Sequence, residues 1–203
     1  MPGTYHGGHR LFQDRFDTRR LADRIDERLV DDVIDSDEKA FIEGLDMFFL
    51  GTSDEQGHPN CSYKGGEKGG EPGFLRILDE HTVAFPNYDG NGMYLSAGNV
   101  LTNPNVGMLF IDFEKGRRLR INGVASIDEH DELMEHYPEA QFVVRVRARE
   151  VFPNCPRYIH KYRLVERSRY VPKASCPTPV PDWKRSAWAE DVLAANDPAR
   201  GGS

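Results

Sequence analysis

Short apolar segments joined by short polar turns constrain the fold of this chain more than any other feature of its sequence. Most of these turns are too short to return the chain for a parallel crossover, so neighbouring segments must run antiparallel. The predicted strands are residues 47–52, 59–64, 74–78, 82–85, 106–113, 118–127 and 141–152. With one helical segment in their midst, they favour a mainly β fold with peripheral helices, a small antiparallel barrel of about six strands.

Residues 85–104 combine the end of a strand, a glycine-containing turn and a helix. Asp89 or Asn91 could cap this helix, and Gly90 and Gly92 would let a ligand approach the main chain closely. Amides at a helix N-terminus are a common way to hold an anion, most often a phosphate. The alternative is an ordinary strand–turn–helix connection with Asn/Gly turn chemistry. The helical pattern comes from Met93, Ala97, Val100 and Leu101, and it stops at Asn103-Pro104.

The N-terminal region, residues 1–35, is distinct from the strand-rich region that follows. Its first 17 residues are polar and predict a loose arm, in which His6 and His9 are solvated rather than bound to a metal. A helix is predicted from Thr18, and its narrow apolar stripe is expected to pack against the outside of the domain. That stripe consists of Leu21, Ile25, Leu29 and Val33. A second helix, opened by Ser36, is expected to bury Phe41, Ile42 and Leu45.

Residues 36–170 form the predicted barrel domain, and residues 171–203 form a proline-rich tail. The tail is expected to lie extended over the surface, anchored by Trp183 and Trp188. Asn154-Cys155-Pro156 resembles the start of a helix and predicts one over residues 157–164. The glycine-rich residues 65–73 lack the spacing of a phosphate-binding or dinucleotide-binding loop, so they predict a flexible connector over a site.

The charge and cysteine content exclude several classes of protein. A formal net charge of −7 argues against nonspecific nucleic-acid binding, which needs a basic face. No apolar run reaches the length of a membrane span, and no signal-peptide core is present. Cys61, Cys155 and Cys176 are odd in number and lack a CxxC motif. They predict a reduced, cytoplasmic protein without disulfides or structural zinc.

Arginines alternate with apolar residues on two of the predicted strands. Arg118 and Arg120 alternate with Leu119 and Ile121, so one face of that strand is apolar and the other is cationic. The last strand repeats this pattern with Arg145, Arg147 and Arg149. On that strand the arginines more often form a solvated or salt-bridged face than a binding site.

Three blocks, taken in order, give residues 47–127 a family resemblance. They are FFLGTSDEQGHPNCSYKGG, FPNYDGNGMYLSAGNVLTNPNVGMLFIDF and RRLRINGVASI. This order resembles the FMN-binding split-barrel proteins related to pyridoxamine 5'-phosphate oxidase. The resemblance implies a six-stranded split barrel that forms a homodimer, with two flavins at the subunit interface.

The resemblance also assigns roles to particular residues. The cofactor-binding residues that it implies are Ser62, Tyr63 and Lys64 beside the isoalloxazine, Phe85, Pro86, Asn87 and Tyr88 beside the ring and ribityl chain, Asn91, Gly92 and Ser96 near the phosphate, and Arg118 and Arg120 from the other subunit. Two departures matter. Oxidase members have an Arg-Lys pair before the central helix, where this chain has Asp89-Gly90-Asn91-Gly92, and its tail lacks their Trp…Arg-Leu-x-Pro pattern.

The leading hypothesis is an FMN-dependent oxidoreductase that transfers hydride through flavin N5 to or from an unknown small molecule. Residues 67–72 and 154–160 are candidate walls of the substrate site, with Arg157, Tyr158 and His160 as possible substrate contacts. No general acid or base can be named, and no metal is expected. One alternative is a non-catalytic protein that stores or senses flavin or haem. Haem would need an axial ligand, and the available histidines are His58, His81 and His160. Another is a deazaflavin-dependent reductase, whose polyanionic cofactor tail would meet Lys64, Arg117 and Arg118.

Overall fold

The computed structural model describes residues 4–67 and 73–201 of the chain. Four α-helices, α1 (Gly7–Arg15), α2 (Arg19–Leu29), α3 (Ser36–Glu43) and α4 (Leu95–Thr102), accompany seven strands. The strands are β1 (Met47–Ser53), β2 (Pro59–Gly65), β3 (Arg76–Asp79), β4 (Thr82–Tyr88), β5 (Asn105–Asp112), β6 (Arg117–Asp128) and β7 (Ala140–Pro153). Short 3₁₀ helices lie at Glu132–His136, Asp182–Arg185 and Pro198–Gly201.

All seven strands belong to one antiparallel sheet with the order β2-β1-β5-β6-β7-β4-β3. The predicted mainly β class and antiparallel split barrel are confirmed, with seven strands in place of about six. The hairpins β1–β2 and β3–β4 lie at opposite ends of the sheet order, and α4 connects β4 to β5. This crossover carries the chain from one end of the sheet to the other, and α4 packs against β1 and β6.

Alternation along the strands sends one row of side chains into a single main core. In β1, Phe48, Leu50 and Thr52 are buried, whereas the residues between them are partly exposed. The ring of Phe48 lies 4.9 Å from that of Phe85 and 5.4 Å from that of Phe110, so aromatic packing ties β1, β4 and β5 together. A smaller cluster of Ala84, Leu133, Tyr137 and Val143 lies beneath the 3₁₀ helix before β7.

The opposite side chains of the same strands define the outer face of the sheet. We use this name for the outward residues of β1, β5 and β6, which include Met47, Phe49, Leu109, Ile111, Arg118 and Arg120. Registers Phe49↔Leu109 and Leu109↔Arg120 place these residues side by side on neighbouring strands. The outer face is therefore apolar at β1 and β5 and cationic at β6.

Three expectations for the helices need correction. The first 17 residues are not simply a loose arm, because α1 forms within them and is capped by His6. Helix α2 ends at Leu29, before Val33, and none of its residues is buried, so its stripe does not pack on the described part of the domain. Helix α3 buries Phe41 and Ile42 as predicted, but its N-cap is Asp35, which forms a capping box with Glu38.

The chain after β7 also departs from the prediction. Residues 157–164 form no helix and are almost entirely exposed. They run extended, held by Lys161 Nζ donating to the Glu114 carbonyl at 2.7 Å and by the Tyr162 ring packing 5.3 Å from that of Phe113. A short helix with no buried face has little to stabilise it, which explains the missing turns. Trp183 and Trp188 stack on each other and are exposed, so the tail is anchored instead by Lys184, which is only 3% exposed.

Candidate functional site

A cluster of polar side chains lies where the inner face of β2 meets the start of α4, and we refer to this region as the cleft. Asn60 Nδ2 donates to Ser96 Oγ at 3.0 Å, and Ser62 Oγ lies 3.0 Å from the same oxygen. Asn60, Ser62 and Lys64 alternate along β2 and therefore point to one side of the strand. The strand thus presents an amide, a hydroxyl and an ammonium group in a row toward α4.

Lys64 is the most unusual group in this cleft. Its Nζ lies 3.5 Å from Asn87 Oδ1 on β4, and no described carboxylate forms an ion pair with it. Burial alone lowers the pKa of its ammonium group. A desolvated cation without a counter-ion attracts an anionic ligand, because such a ligand would replace the lost hydration.

Asn87 connects the lysine to the neighbouring strand. Asn87 Nδ2 donates to Gln141 Oε1 at 3.2 Å and to the Tyr88 carbonyl at 3.1 Å, which orients Oδ1 toward Lys64. A register shift between Asn87 and Tyr88 disturbs the β4–β7 pairing at this point. Tyr88 is half-buried, and its pKa is raised to about 12 by burial and by the nearby charges of Glu139 and Glu67. It is therefore a neutral hydrogen-bonding group at physiological pH.

The start of α4 differs from the prediction that Asp89 or Asn91 caps it. The N-cap is Tyr94, whose φ of 48° lies in the left-handed region, and it makes no side-chain bond to the helix. Asn91 Oδ1 instead accepts from the Met93 amide at 3.1 Å and shapes the turn before the helix. The six residues between β4 and α4 place both predicted caps too far from the first turn. The first turn carries no acidic residue, and its amides have no intrahelical acceptor.

Asp89 occupies the position where oxidases of the family that this sequence resembles have basic residues. A lysine of the C-terminal tail balances its negative charge. Buried Lys184 bonds Asp89 and lies 2.7 Å from Asp197 Oδ2. Burial would lower the pKa of Lys184, but the bonds to Asp197 and Asp89 outweigh it and raise the pKa. Asp89 is thus held by a cation 95 residues further along the chain. Its negative charge is not left facing the cleft unopposed.

Arg118 and Arg120 lie on the outer face, on the side of the sheet opposite to the core. Arg118 Nη2 donates to the Cys155 carbonyl at 2.7 Å, whereas its Nε is buried without a hydrogen-bond partner among the described residues. Burial, followed by the charge of Arg118, lowers the pKa of Arg120. Since Lys64 points to the inner side of β2, one protomer does not bring these arginines to the cleft.

Other predicted site residues are dispersed. Tyr63 points away from Ser62 and Lys64, is 63% exposed and meets the Phe49 ring edge-on at 6.1 Å. Phe85 and Pro86 are buried, and Phe85 belongs to the main core. Their side chains are therefore structural, and only their backbone could border a ligand. Gly92 has a φ of 74° in the turn before α4, a conformation that favours glycine.

The predicted substrate residues lie on the exposed segment after β7. Tyr158 is 85% exposed, with the Arg157 guanidinium 5.6 Å from its ring centre, and His160 is exposed nearby. This segment follows the β5–β6 turn and does not reach the cleft of its own protomer. Of the other predicted wall, Glu67 is exposed, and residues 68–72 lie outside the described residues.

The residues considered for the two alternative cofactors are not brought together either. His58 lies in the β1–β2 turn beside Asp54, and His81 lies in the β3–β4 turn beside the Asp32 carbonyl. His160 is on the segment after β7, so the three histidines occupy three separate places. The guanidinium of Arg117 lies 4.4 Å from the ring centre of Phe41, away from Lys64.

Three residues of the site were missed by sequence reasoning. Asn60 could have been found, because it continues the alternation of Ser62 and Lys64 on β2. Gln141 and Lys184 carry no local signal, because each is defined by a partner far away in the sequence.

The sequence between α2 and the tail matches a known family model. The model is that of pyridoxamine 5'-phosphate oxidase, and it matches residues 34–168, well over half of the chain. The protein belongs to the pyridoxamine 5'-phosphate oxidase family. The match spans every strand and α4, so the cleft lies within the family region and the N-terminal helices and the tail lie largely outside it.

Solved structures of similar fold share little sequence with this family member. An FMN-binding protein from Syntrophomonas wolfei has 12% identity and a TM-score of 0.45, covering 72% of this chain and 97% of its own. The haem storage protein HutZ from Vibrio cholerae has 20% identity and a TM-score of 0.43, covering 60% and 94%. HupZ from Group A Streptococcus has 18% identity and a TM-score of 0.47, covering 59% and 93%. No curated protein matches the sequence.

The membrane question has a simple structural answer for the described residues. None of the helices within 4–67 and 73–201 has both the length and the hydropathy needed to cross a bilayer.

Proposed function

We propose that this member of the pyridoxamine 5'-phosphate oxidase family binds FMN in the cleft between β2, β4 and α4 and acts as an FMN-dependent oxidoreductase. The observation that carries the proposal is the partly buried ammonium group of Lys64 beside Asn87, which no described carboxylate neutralises. A desolvated cation is costly unless a ligand pairs with it, and FMN is both anionic at its phosphate and electron-rich at its reduced ring.

The donors around the cleft fit such a ligand. Ser62 and Ser96 provide hydroxyls, Asn60 provides an amide, and the first turn of α4 provides main-chain N–H groups. The dipole of α4 favours negative charge at this end. The side-chain oxygen of Asn91 accepts from the Met93 amide and so shapes the turn that leads into this helix. Phosphate binding would rest on these neutral donors and on Lys64, without the Arg-Lys pair of the oxidases.

The roles of the protein residues follow from their positions. FMN, when bound, supplies hydride chemistry at its N5 position. Lys64 would stabilise negative charge on the bound group, and Asn87, held by Gln141, would keep the lysine in place. The buried side chains of Phe85 and Pro86 are structural, so only the backbone of this part of β4 would border the ligand. The reaction partner would be a small molecule, and no side chain is assigned as an acid or base.

We also propose that the working form is a homodimer with FMN at the subunit interface. Arg118 and Arg120 lie on the outer face without a described carboxylate partner, beside the apolar Phe49 and Leu109. A second copy packed on this face would bury the apolar residues and bring the arginines of one protomer to the cleft of the other. This arrangement would explain why, within one protomer, Lys64 lies on the inner side of the sheet whereas Arg118 and Arg120 lie on the outer face.

The thiols support a reducing, cytoplasmic setting for this dimer. Cys61, Cys155 and Cys176 are all free and exposed. Exposed thiols of this kind persist where glutathione and thioredoxin keep cysteines reduced.

The proposal is tested by loading the purified full-length protein with excess FMN, removing free ligand and recording the visible spectrum. We expect flavin absorption bands and one FMN per protomer by mass measurement after denaturation. Anaerobic addition of NADH or NADPH should bleach these bands, and an added electron acceptor should restore them.

Other results would decide against parts of the proposal. A protein that takes up no FMN under these conditions would refute the cofactor assignment. Uptake of haem with a Soret band, or of a deazaflavin in preference to FMN, would replace it with one of the alternatives. Bound FMN that no reductant or acceptor changes would indicate a flavin store rather than an enzyme.

A further inference from the structure

The two N-terminal helices expose an apolar surface that the described chain does not cover. Their large apolar side chains are between 38% and 67% exposed. In α2 they recur every fourth residue, so they form one stripe along the helix. The exposed residues are Leu11, Phe12 and Phe16 around α1 and Leu21, Ile25 and Leu29 on α2.

The hydrogen bonds and ion pairs that join the two helices to each other are polar contacts at their exposed edges. Arg10 Nη1 lies 2.6 Å from Asp23 Oδ1, Arg19 pairs with Asp14, and Tyr5 Oη donates to the Ala22 carbonyl at 3.1 Å. Exposed ion pairs contribute little to stability. Helices of 9 and 11 residues are marginal in water unless an apolar face is buried. The helix pair therefore needs a surface to pack on.

The helix pair is attached next to the outer face of the sheet. Asp31 and Val151 exchange backbone hydrogen bonds of 3.1 Å and 2.6 Å, which fixes the end of the pair to β7. At the other end, the pKa of Tyr5 is raised by burial and by the charges of Asp26, Asp23 and Glu150. Glu150 itself lies on β7 and accepts from Asn122 Nδ2 on β6 at 2.7 Å.

The chain exposes more surface than a compact monomer of its size. The chain exposes 13266 Å², whereas a compact monomer of 23.1 kDa exposes about 9,700 Å². The excess, about 3,600 Å², is larger than the roughly 800 Å² that each partner contributes to a standard interface. The exposed helix pair and the extended tail both add to this excess.

We propose that the N-terminal helix pair is a dimerisation arm that packs on a second copy of this chain and extends the outer-face interface. In a two-fold dimer the same patch serves both copies, so the stripe and the apolar part of the outer face would be buried together. Arg20, Arg24 and Arg28 flank the stripe on one side of α2 and would form a polar rim.

The place proposed for the helix pair rests on the homodimer of the proposed function, but the test of it does not need FMN. The variant is the double substitution Leu21→Glu and Ile25→Glu in the full-length protein. Its dimer dissociation constant is measured by sedimentation velocity over a dilution series without FMN. We expect it to rise about 100-fold or more, because two carboxylates would be forced into an apolar interface. Val192→Glu, at an exposed apolar position in the tail, is the control and should leave the constant unchanged.

Each other outcome would overturn the proposal. A wild-type monomer at all concentrations would mean that no second copy covers the stripe. An unchanged constant in the double variant would mean that the arm lies outside the interface. Loss of the barrel fold, seen by near-ultraviolet circular dichroism, would mean that the helices pack on their own domain. A parallel FMN titration separates these results from a failure of the flavin assignment.

Discussion

Lys184 and Lys64 show how the same side chain takes opposite roles. Lys184 bonds two carboxylates, Asp89 and Asp197, and these bonds raise its pKa despite burial. Lys64 is partly buried, its one hydrogen-bond partner among the described residues is the neutral Asn87, and burial lowers its pKa. The first is a structural ion pair whose charge is already satisfied. The second has unused electrostatic attraction, and a ligand can use it.

Replacing Lys64 tests this distinction. We expect Lys64→Met to weaken FMN binding by about 10- to 100-fold, because a charge-assisted contact is lost while the apolar stem is kept. Quenching of FMN fluorescence during titration measures the dissociation constant. Lys115→Met in the exposed β5–β6 turn is the control, because it removes a surface ammonium group of the same type. Equal affinity in the Lys64 variant and the control would remove Lys64 from the site.

At the scale of elements, the site depends on segments that are distant in the chain. Strand β2 carries Asn60, Ser62 and Lys64 on one side, and α4 brings Ser96 to meet them. The tail reaches the turn before α4 through Lys184. The tail is therefore part of the environment of the site, although it lies outside the family region.

The tail contact has a testable electrostatic consequence. Lys184→Met leaves the carboxylate of Asp89 without its cation beside the proposed phosphate position, so we expect FMN affinity to fall by about tenfold. Adding Asp89→Asn to this variant should restore most of the affinity, because the repelling charge is then absent. Isothermal titration calorimetry of both variants measures the effect. A loss that the second substitution leaves in place would show that the tail acts by packing instead.

The 3₁₀ helix before β7 depends on a buried ion pair. The carboxylate of Asp131 receives two bonds from Arg145, at 2.6 Å and 2.8 Å, and accepts the Leu133 amide at 2.9 Å. The bonds from Arg145 lower the pKa of Asp131 below its usual value. The predicted salt-bridged character of the arginines on β7 thus holds for Arg145.

This pair predicts a pH-dependent loss of stability. A depressed carboxyl pKa adds stability above the ordinary value near 4, and that contribution is lost as pH falls through the folded-state value. We expect Arg145→Met to lower the free energy of unfolding by about 3 kcal/mol at pH 7, because the carboxylate of Asp131 is left buried and unpaired. The deficit should shrink below pH 4 as Asp131 becomes protonated. Urea unfolding at several pH values measures it, and a deficit independent of pH would contradict the assignment.

At the scale of the whole molecule, the two sides of the sheet carry different parts of the proposed site. The inner side of β2 faces α4 with Lys64, and the outer face carries Arg118 and Arg120. The Nε of Arg118 is buried and has no described hydrogen-bond partner. Such an orphaned donor is expected to find its acceptor in a ligand or a second protomer.

Arg118→Ala tests the contribution of a second subunit. We expect it to weaken FMN binding by about tenfold without lowering the thermal midpoint of the barrel, because the guanidinium lies outside the core. Arg147→Ala, an exposed arginine on β7, is the control. The dissociation constant for FMN should also depend on protein concentration in the wild type, since dilution separates the subunits. An Arg118 variant with wild-type affinity would exclude an arginine supplied across the interface.

Much of the fold followed from patterns a few residues long. Alternation identified the strands, and Asn103-Pro104 marked the end of α4, which ends at Thr102. These features are local, because side-chain direction in a strand and the missing N–H of proline act within a few residues. The order of these elements also identified the family, and with it the residues of the cleft that lie on β2 and β4.

Other features were decided only by the tertiary structure. The sequence pattern predicted a helix over residues 157–164 that does not form, because a helix also needs a surface on which to bury its apolar side. The partner of Asp89 lies 95 residues away, and no local pattern specifies which distant charge will reach it. The sequence by itself determined the elements and their family, whereas the cations that face the site were set by the path of the folded chain, because electrostatic partners are chosen by distance in space.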